Sequence, residues 1–277
     1  MIDAVCPLVA RDLDRFTRIL VPSLQRNLPA LGTCWVVVPE ADVASVEAAI
    51  TDHRFRVVPE LELVPELPRA IRLRFLRHPG WYVQQVVKLA AAERVGTPFF
   101  LTLDADVICM RPTSVDDLVV DGKGVCQEYP VDFHPRWERW ATRVLALPSV
   151  PRNFNVTPAV LSTDAVRELV AHLEHRIPWW RRRLGQGWRA SLLGQLPWTE
   201  YRLYFNFLVA TGRLDDHHHV LDEHVLHRDS VWKAGDWESW SPAAEPIATE
   251  PHFVVIQSTT RVPVDDVLAR LGGRLEP

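Results

Sequence analysis

Apolar residues follow two rhythms in the first half of the chain. Continuous apolar runs alternate with stretches in which apolar positions recur every three or four residues. The run from Ile2 to Val5 precedes Leu13, Phe16, Ile19, Leu20 and Leu24 at helical spacing. That spacing predicts a helix opening near Asp12, with Asp12 or Asp14 at its cap or in its first turn. TCWVVVP, ending at Pro39, reads as a strand buried on both faces. A second helix is expected over Val43 to Ile50, and a third strand over Phe55 to Val58. A helix from Trp81 to about Val95 stops at Gly96, and PFFLTLD then reads as a fourth strand.

The second half is more mixed. VCQEYP and NVTPAVLS read as strands, and HFVVIQS as a late strand starting at His252. Helices are expected over Thr163 to His175, near Trp180, over Thr199 to Thr211 and over Pro263 to Leu271. The alternation of strands and helices predicts an α/β fold, with a mainly parallel sheet between two helical layers. We treat the chain as one domain. Residues 1–112 form the half that would bind the ligand, and residues 113–277 form an acceptor-side half.

Composition narrows the function classes. The chain has 277 residues, 47% hydrophobic and 24% charged, enough for a large core. Its formal net charge of −4 argues against a general nucleic-acid binder. Cys6, Cys34, Cys109 and Cys126 have no Cys-x-x-Cys spacing, so they are expected to be reduced and mostly buried. No signal peptide and no run of eighteen apolar residues is visible, so the expected location is cytoplasmic without a transmembrane span. Seven of the 11 tryptophans lie between Trp179 and Trp240, which suits either a bulky core or a surface on which sugar rings stack. Four arginines, Arg69, Arg72, Arg74 and Arg77, precede the Trp81 helix and are candidates for a phosphate or substrate contact.

The chemistry concentrates in LTLDADVICMRP. In a parallel α/β sheet, ligands bind outside the carboxyl ends of the strands. A buried strand ending in Asp104-Ala105-Asp106 puts two hard oxygen ligands there, suited to Mn²⁺ or Mg²⁺ bridging to a diphosphate. On the preceding helix, Gln84 and Lys88 are four residues apart and share a face, with Gln85 pointing elsewhere. Lys88 can meet a phosphate as a point charge, and Gln84 a base, ribose or sugar hydroxyl. The consecutive His217, His218 and His219 point in different directions and read as a surface loop entering a strand.

LTLDADVICMRP resembles the DxD segment of GT-A glycosyltransferases. WYVQQVVKL, NVTPAVLS, WTEYRLY and HFVVIQS resemble segments of a bacterial group of small DxD-containing proteins of that type. The resemblance implies a GT-A-like three-layer α/β/α fold and a nucleotide-diphosphate sugar donor. It further implies that Asp104 and Asp106 hold ribose and metal, and that His252 is a third metal ligand. Pro7, Arg11 and Asp12 would lie where the nucleoside is held, and Gln257 and Ser258 would line the same pocket. Glu200, in the first turn of a helix capped by Thr199, resembles the general base of inverting enzymes, so inversion is the expected outcome. The acceptor would be a small molecule or glycan hydroxyl. Two alternatives are a non-catalytic nucleotide- or sugar-binding protein and a metal-dependent phosphotransferase or hydrolase. A sugar-nucleotide pyrophosphorylase is disfavoured, because no glycine precedes Gly32 to form a triphosphate loop.

Overall fold

The apolar runs assemble into a five-stranded sheet in the order Phe55–Pro59, Leu31–Val38, Ile2–Pro7, Phe99–Thr102, Ala159–Ser162. The computed structural model describes residues 1–67, 79–130, 135–154, 157–195, 197–243 and 249–275. The strands are β1 (Ile2–Pro7), β2 (Leu31–Val38), β3 (Phe55–Pro59), β4 (Phe99–Thr102) and β8 (Ala159–Ser162). The first four are mutually parallel, and β8 runs antiparallel on the edge beside β4.

Alternation along β1 accounts for the three layers. Val5 faces one apolar cluster, with Val86, Phe100 and Leu203, while Ala4 and Cys6 face another, with Phe16, Leu20 and Val36. The second cluster is capped by a helical run from Ala10 that ends in α1 (Val21–Asn27), together with α2 (Val43–Ala49). The first is capped by α3 (Pro79–Ala90), α4 (Pro135–Leu145), α5 (Thr163–His175), α7 (Trp188–Leu193) and α8 (Glu200–Ala210), while α6 (Trp179–Arg183) lies outside it with no buried residue. Ala91, Val166 and Leu169 are fully buried there. Thus the expected mainly parallel three-layer fold is present. The arginines at 69, 72, 74 and 77 lie outside the described residues.

Two smaller sheets stand beside the main one and take up the expected strands VCQEYP and HFVVIQS. β5 (Val107–Cys109) pairs antiparallel with β10 (Phe253–Val255), so HFVVIQS adds nothing to the main sheet. β6 (Val119–Val120), β7 (Lys123–Gln127) and β9 (His218–Leu221) form a three-stranded sheet in which β7 and β9 are parallel. His218 is not on a surface loop. It is buried, hydrogen-bonded to the Tyr204 hydroxyl at 2.7 Å and the Gly124 carbonyl at 2.9 Å. A last helix, α9 (Val264–Leu271), covers the β5–β10 ribbon through Val267 and Leu271, which cluster with Ile108 and Val254. No helix among the described residues is long and apolar enough to cross a membrane. All four cysteines are free and buried.

Candidate active site

The mouth of β4 holds a buried network of charges. Leu103 still bonds to Val5 across the sheet at 2.8 Å, and the chain then turns at Asp104-Ala105-Asp106 into β5. The turn is closed by the Val107 amide on the Asp104 carbonyl at 3.1 Å. Lys88 reaches up from α3 to this turn. Its ammonium lies 2.8 Å from Asp104 Oδ1, 2.9 Å from Glu200 Oε1 and 3.1 Å from the Tyr201 hydroxyl. An ammonium has three protons, and three oxygens surround this one.

Burial decides what these groups can do. Lys88 is 1% exposed and Glu200 is fully buried. Burial opposes the Lys88 charge, but Asp104 and then Glu200 outweigh it and hold its pKa well above the ordinary lysine value. Burial raises the Glu200 pKa, and the Lys88 charge works against that rise. Tyr201 donates no charge; burial pushes its pKa up. The network extends from Thr102 to the Tyr201 hydroxyl at 3.3 Å, and from Gln85 to the Glu200 amide at 3.3 Å. Thr199 caps α8 by accepting from the Arg202 amide at 3.1 Å, as the sequence suggests.

Asp104 and Asp106 differ in what offsets their charge. Asp104 has Lys88 on one oxygen and the Thr157 hydroxyl on the other at 3.0 Å. Asp106 receives the Ser258 amide on Oδ2 at 2.8 Å, and its carbonyl accepts from the Ile256 amide at 3.1 Å. Its carboxyl pKa is pushed up to about 7, first by burial and then by the Asp104 charge. Asp12 pushes the same way, while the Ser258 amide and Arg15 pull down. Arg15 is buried and donates to the Ile256 carbonyl at 3.1 Å and to the Val262 carbonyl. An under-compensated carboxylate of this kind is stabilised by a cation. Asp106 retains Oδ1 to offer one. Among the described residues no three metal-type side chains converge, so an ion here would complete its shell with phosphate and water oxygens.

The structure brings together only part of the expected constellation. Lys88, Asp104 and Glu200 meet, and the charge of Asp12 is felt at Asp106. Lys88 is not a free point charge for phosphate, because protein oxygens enclose it. Glu200 does not open onto a cleft, and a general base has to reach the hydroxyl it deprotonates. The expectation of inversion therefore loses its residue. Gln85, not Gln84, faces inward and joins the network, and Gln84 is only half-buried. His252 is not beside Asp106. Antiparallel register sets Val255 against Val107 and Phe253 against Cys109, putting His252 roughly 13 Å along the ribbon. There its ring meets the Arg111 guanidinium at 2.6 Å and the Thr113 hydroxyl at 2.8 Å. Pro7 ends β1 opposite Val37, Arg11 is exposed and paired to Asp12 at 3.3 Å, and Gln257 opens the turn that presents Ser258. Arg15, Thr157 and Gln85 are the participants that sequence reasoning passed over. Arg15 lies one helical turn after Arg11, which was the available signal. Of the clustered tryptophans, Trp188 and Trp198 are core residues, whereas Trp179, Trp180 and Trp232 are exposed.

Comparison with known proteins gives the fold a context. The structure of mouse xyloside xylosyltransferase 1 in its apo form aligns at 13% identity and a TM-score of 0.54, covering 95% of this chain and all of that one. The galactosyltransferase LgtC, in complex with donor and acceptor sugar analogues, aligns at 12% identity and 0.51, covering 92% and 86%. At such identities the likeness is one of fold, and the fold is GT-A-like α/β/α. No curated protein matches at the level of sequence. Residues 1–274 match the model described as "Family of unknown function (DUF6492)".

Proposed function

The chain belongs to the DUF6492 family, and on that premise we propose that it is a glycosyltransferase using a nucleotide-diphosphate sugar and Mn²⁺ or Mg²⁺. The observation that carries this reading is the unequal pair at the mouth of β4, with Asp104 held by the Lys88 ammonium it shares with Glu200 and Asp106 held on Oδ2, among the described residues, by the Ser258 amide alone. The two solved structures described above are both sugar transferases, which favours the reading over an unrelated use of the same metal chemistry.

In this reading Asp106 offers Oδ1 to the ion, while the Ser258 amide fixes its other oxygen. Such an ion would supply positive charge to a diphosphate leaving group. Lys88 and Glu200 act as positioning residues: they hold Asp104 so that it faces the ligand with a fixed orientation. Arg15 pins the Ile256–Val262 segment and lowers the cost of ionising Asp106. The donor base and ribose fit the ends of β1 and the following turn, from Pro7 to Asp12. The acceptor is a hydroxyl, its new bond to the sugar replacing the bond to the diphosphate, and its proton leaving to solvent.

The test is titration calorimetry with nucleoside diphosphates, with and without Mn²⁺, followed by an assay of nucleoside diphosphate release from candidate donors. Binding that requires metal and weakens at least tenfold in Asp106→Asn is the expected result. Equal affinity in that variant would remove the metal role from Asp106. Metal-dependent binding without any turnover would favour a non-catalytic sugar-nucleotide binder.

A further inference from the structure

The molecule carries an exposed aromatic and basic surface far in character from the acidic site. In α6 and the turn after it, Trp179 is 66% exposed, Trp180 48% and Leu184 62%. Exposure of about half or more of two indoles and a leucine within six residues leaves apolar area in water, unless something apolar covers it. Trp180 lies in the helix and Leu184 closes it as the C-cap, four residues on. Arg181, Arg182 and Arg183 sit between them.

These arginines differ from several others among the described residues. Arg54, Arg94, Arg152 and Arg213 each meet a carboxylate at 2.7–3.0 Å. Among the described residues Arg181, Arg182 and Arg183 meet none. Instead Arg181 lies over the Trp180 ring at 5.2 Å and Arg183 over the Trp179 ring at 5.6 Å. The chain as a whole is acidic, at −4, so this is a local reversal of sign. Beside it a cavity of about 170 Å³ opens between α5, α6 and α7, with Arg176 and Arg181 at its rim and Ile177, Trp188 and Leu192 inside. Arg176 gives Nε to the Val144 carbonyl, which leaves its terminal nitrogens available.

Indoles, a leucine and unpaired arginines on one short element match the chemistry of the boundary between lipid headgroups and acyl chains. Indole rings settle at that boundary, and arginines pair with lipid phosphates. We propose that α6 seats the protein on an anionic lipid surface, with Trp179, Trp180 and Leu184 entering the headgroup boundary and Arg176 and Arg181 meeting phosphate. The placement is also consistent with the site. Ser162 caps α5 at the level of Phe99, where β4 begins, and thirteen residues of α5 run back about 20 Å toward the end where Asp104 lies. A surface-bound molecule therefore keeps its acidic mouth on the membrane-facing end.

The experiment is co-sedimentation of the whole chain with vesicles of phosphatidylcholine alone or with 30% (about one lipid in three) phosphatidylglycerol. The expected result is binding to the anionic vesicles only, falling steeply with added salt. Trp179→Ala with Trp180→Ala should lower the partition coefficient at least tenfold. The triple change of Arg181, Arg182 and Arg183 to Gln should lower it as much and flatten the salt dependence. All five positions are on the surface, and an unchanged melting curve confirms that each variant folds. Equal binding to neutral and anionic vesicles, no binding to either, or parental binding by both variants would overturn the proposal. So would loss of vesicle binding when a soluble polyanion of protein or polysaccharide is added at low occupancy, which would assign the patch to a macromolecular partner.

Discussion

Lys88 concentrates the energetics of the site in one side chain. Removing it leaves Glu200 buried with no cation and Asp104 with one partner fewer. Lys88→Met is expected to lower stability by about 3–5 kcal/mol, the range for breaking a buried pair from one side. Lys88→Met combined with Glu200→Leu should recover more than half of that loss, since no buried charge is then stranded. Urea unfolding of the two single variants and the double variant measures this directly, and additive losses would mean that the pair is not coupled. The residue types of the site were legible: an acidic pair at a strand mouth, a lysine on the preceding helix, a glutamate at a helix start. Their mutual contacts were not, because the facing of a helix is fixed by packing. In WYVQQVVKL the polar residues are too few to define a face, and Gln85, not Gln84, turned inward against Glu200. His252 was recognisable as a histidine at a strand start, but only the antiparallel register of β10 tells that this start is the wrong end.

At the scale of elements, β7 shows how tightly the small sheet is fitted to the large one. A Cβ on Gly124 would lie 2.9 Å from Phe99 Cδ1 and from Val160 Cγ1, side chains of β4 and β8. Gly124→Ala is therefore expected to cost about 1–3 kcal/mol through overpacking. Denaturant midpoints check it, and a midpoint equal to the parent's would show that β7 shifts without penalty. The central strands were plain in the sequence because burial on both faces leaves an unbroken apolar run. β9 was hidden because it opens with His218-His219. The buried histidine owes its place to two hydrogen bonds that no periodicity announces, one with the Tyr204 hydroxyl and one donated to the Gly124 carbonyl. The helix Pro135–Leu145 went unnoticed because its apolar residues are interleaved with Arg136, Arg139 and Arg143.

For the whole molecule, proton uptake is set by groups of opposite sign. Burial holds His218 down to about 3, and His227 and His252 down to about 4. An unfolded histidine protonates near pH 6.5, so each of these lends stability that is complete above that pH and is lost as pH falls toward 4. Glu60 behaves oppositely. Burial first, then Glu40 and Asp42, push its carboxyl up to about 7. Unfolded, it ionises near 4.5, so its protonated form lends stability at low pH that is lost as pH rises from there through 7. Glu60→Gln should therefore match the parent at pH 4 and exceed it at pH 8 by about 2 kcal/mol, a figure reduced for the water that Glu60 still meets. Chemical unfolding in chelator at the two pH values checks the sign, and a variant less stable than the parent at pH 8 would refute it.

The link between Asp106 and Ser258 joins positions 152 residues apart. A ribosome delivers the acidic pair early and the amide that steadies it late. Until Ser258 has emerged, the growing polypeptide has the turn after β4 but neither the β10 partner of β5 nor the anchor for that carboxylate. The turn that carries the acidic pair is therefore completed only when the chain from Phe253 to Ser258 is in place. Loss of the segment after β9 would also bare the main sheet, because Phe253 and Val255 pack in one cluster with Ala4, Cys6, Val36 and Leu101.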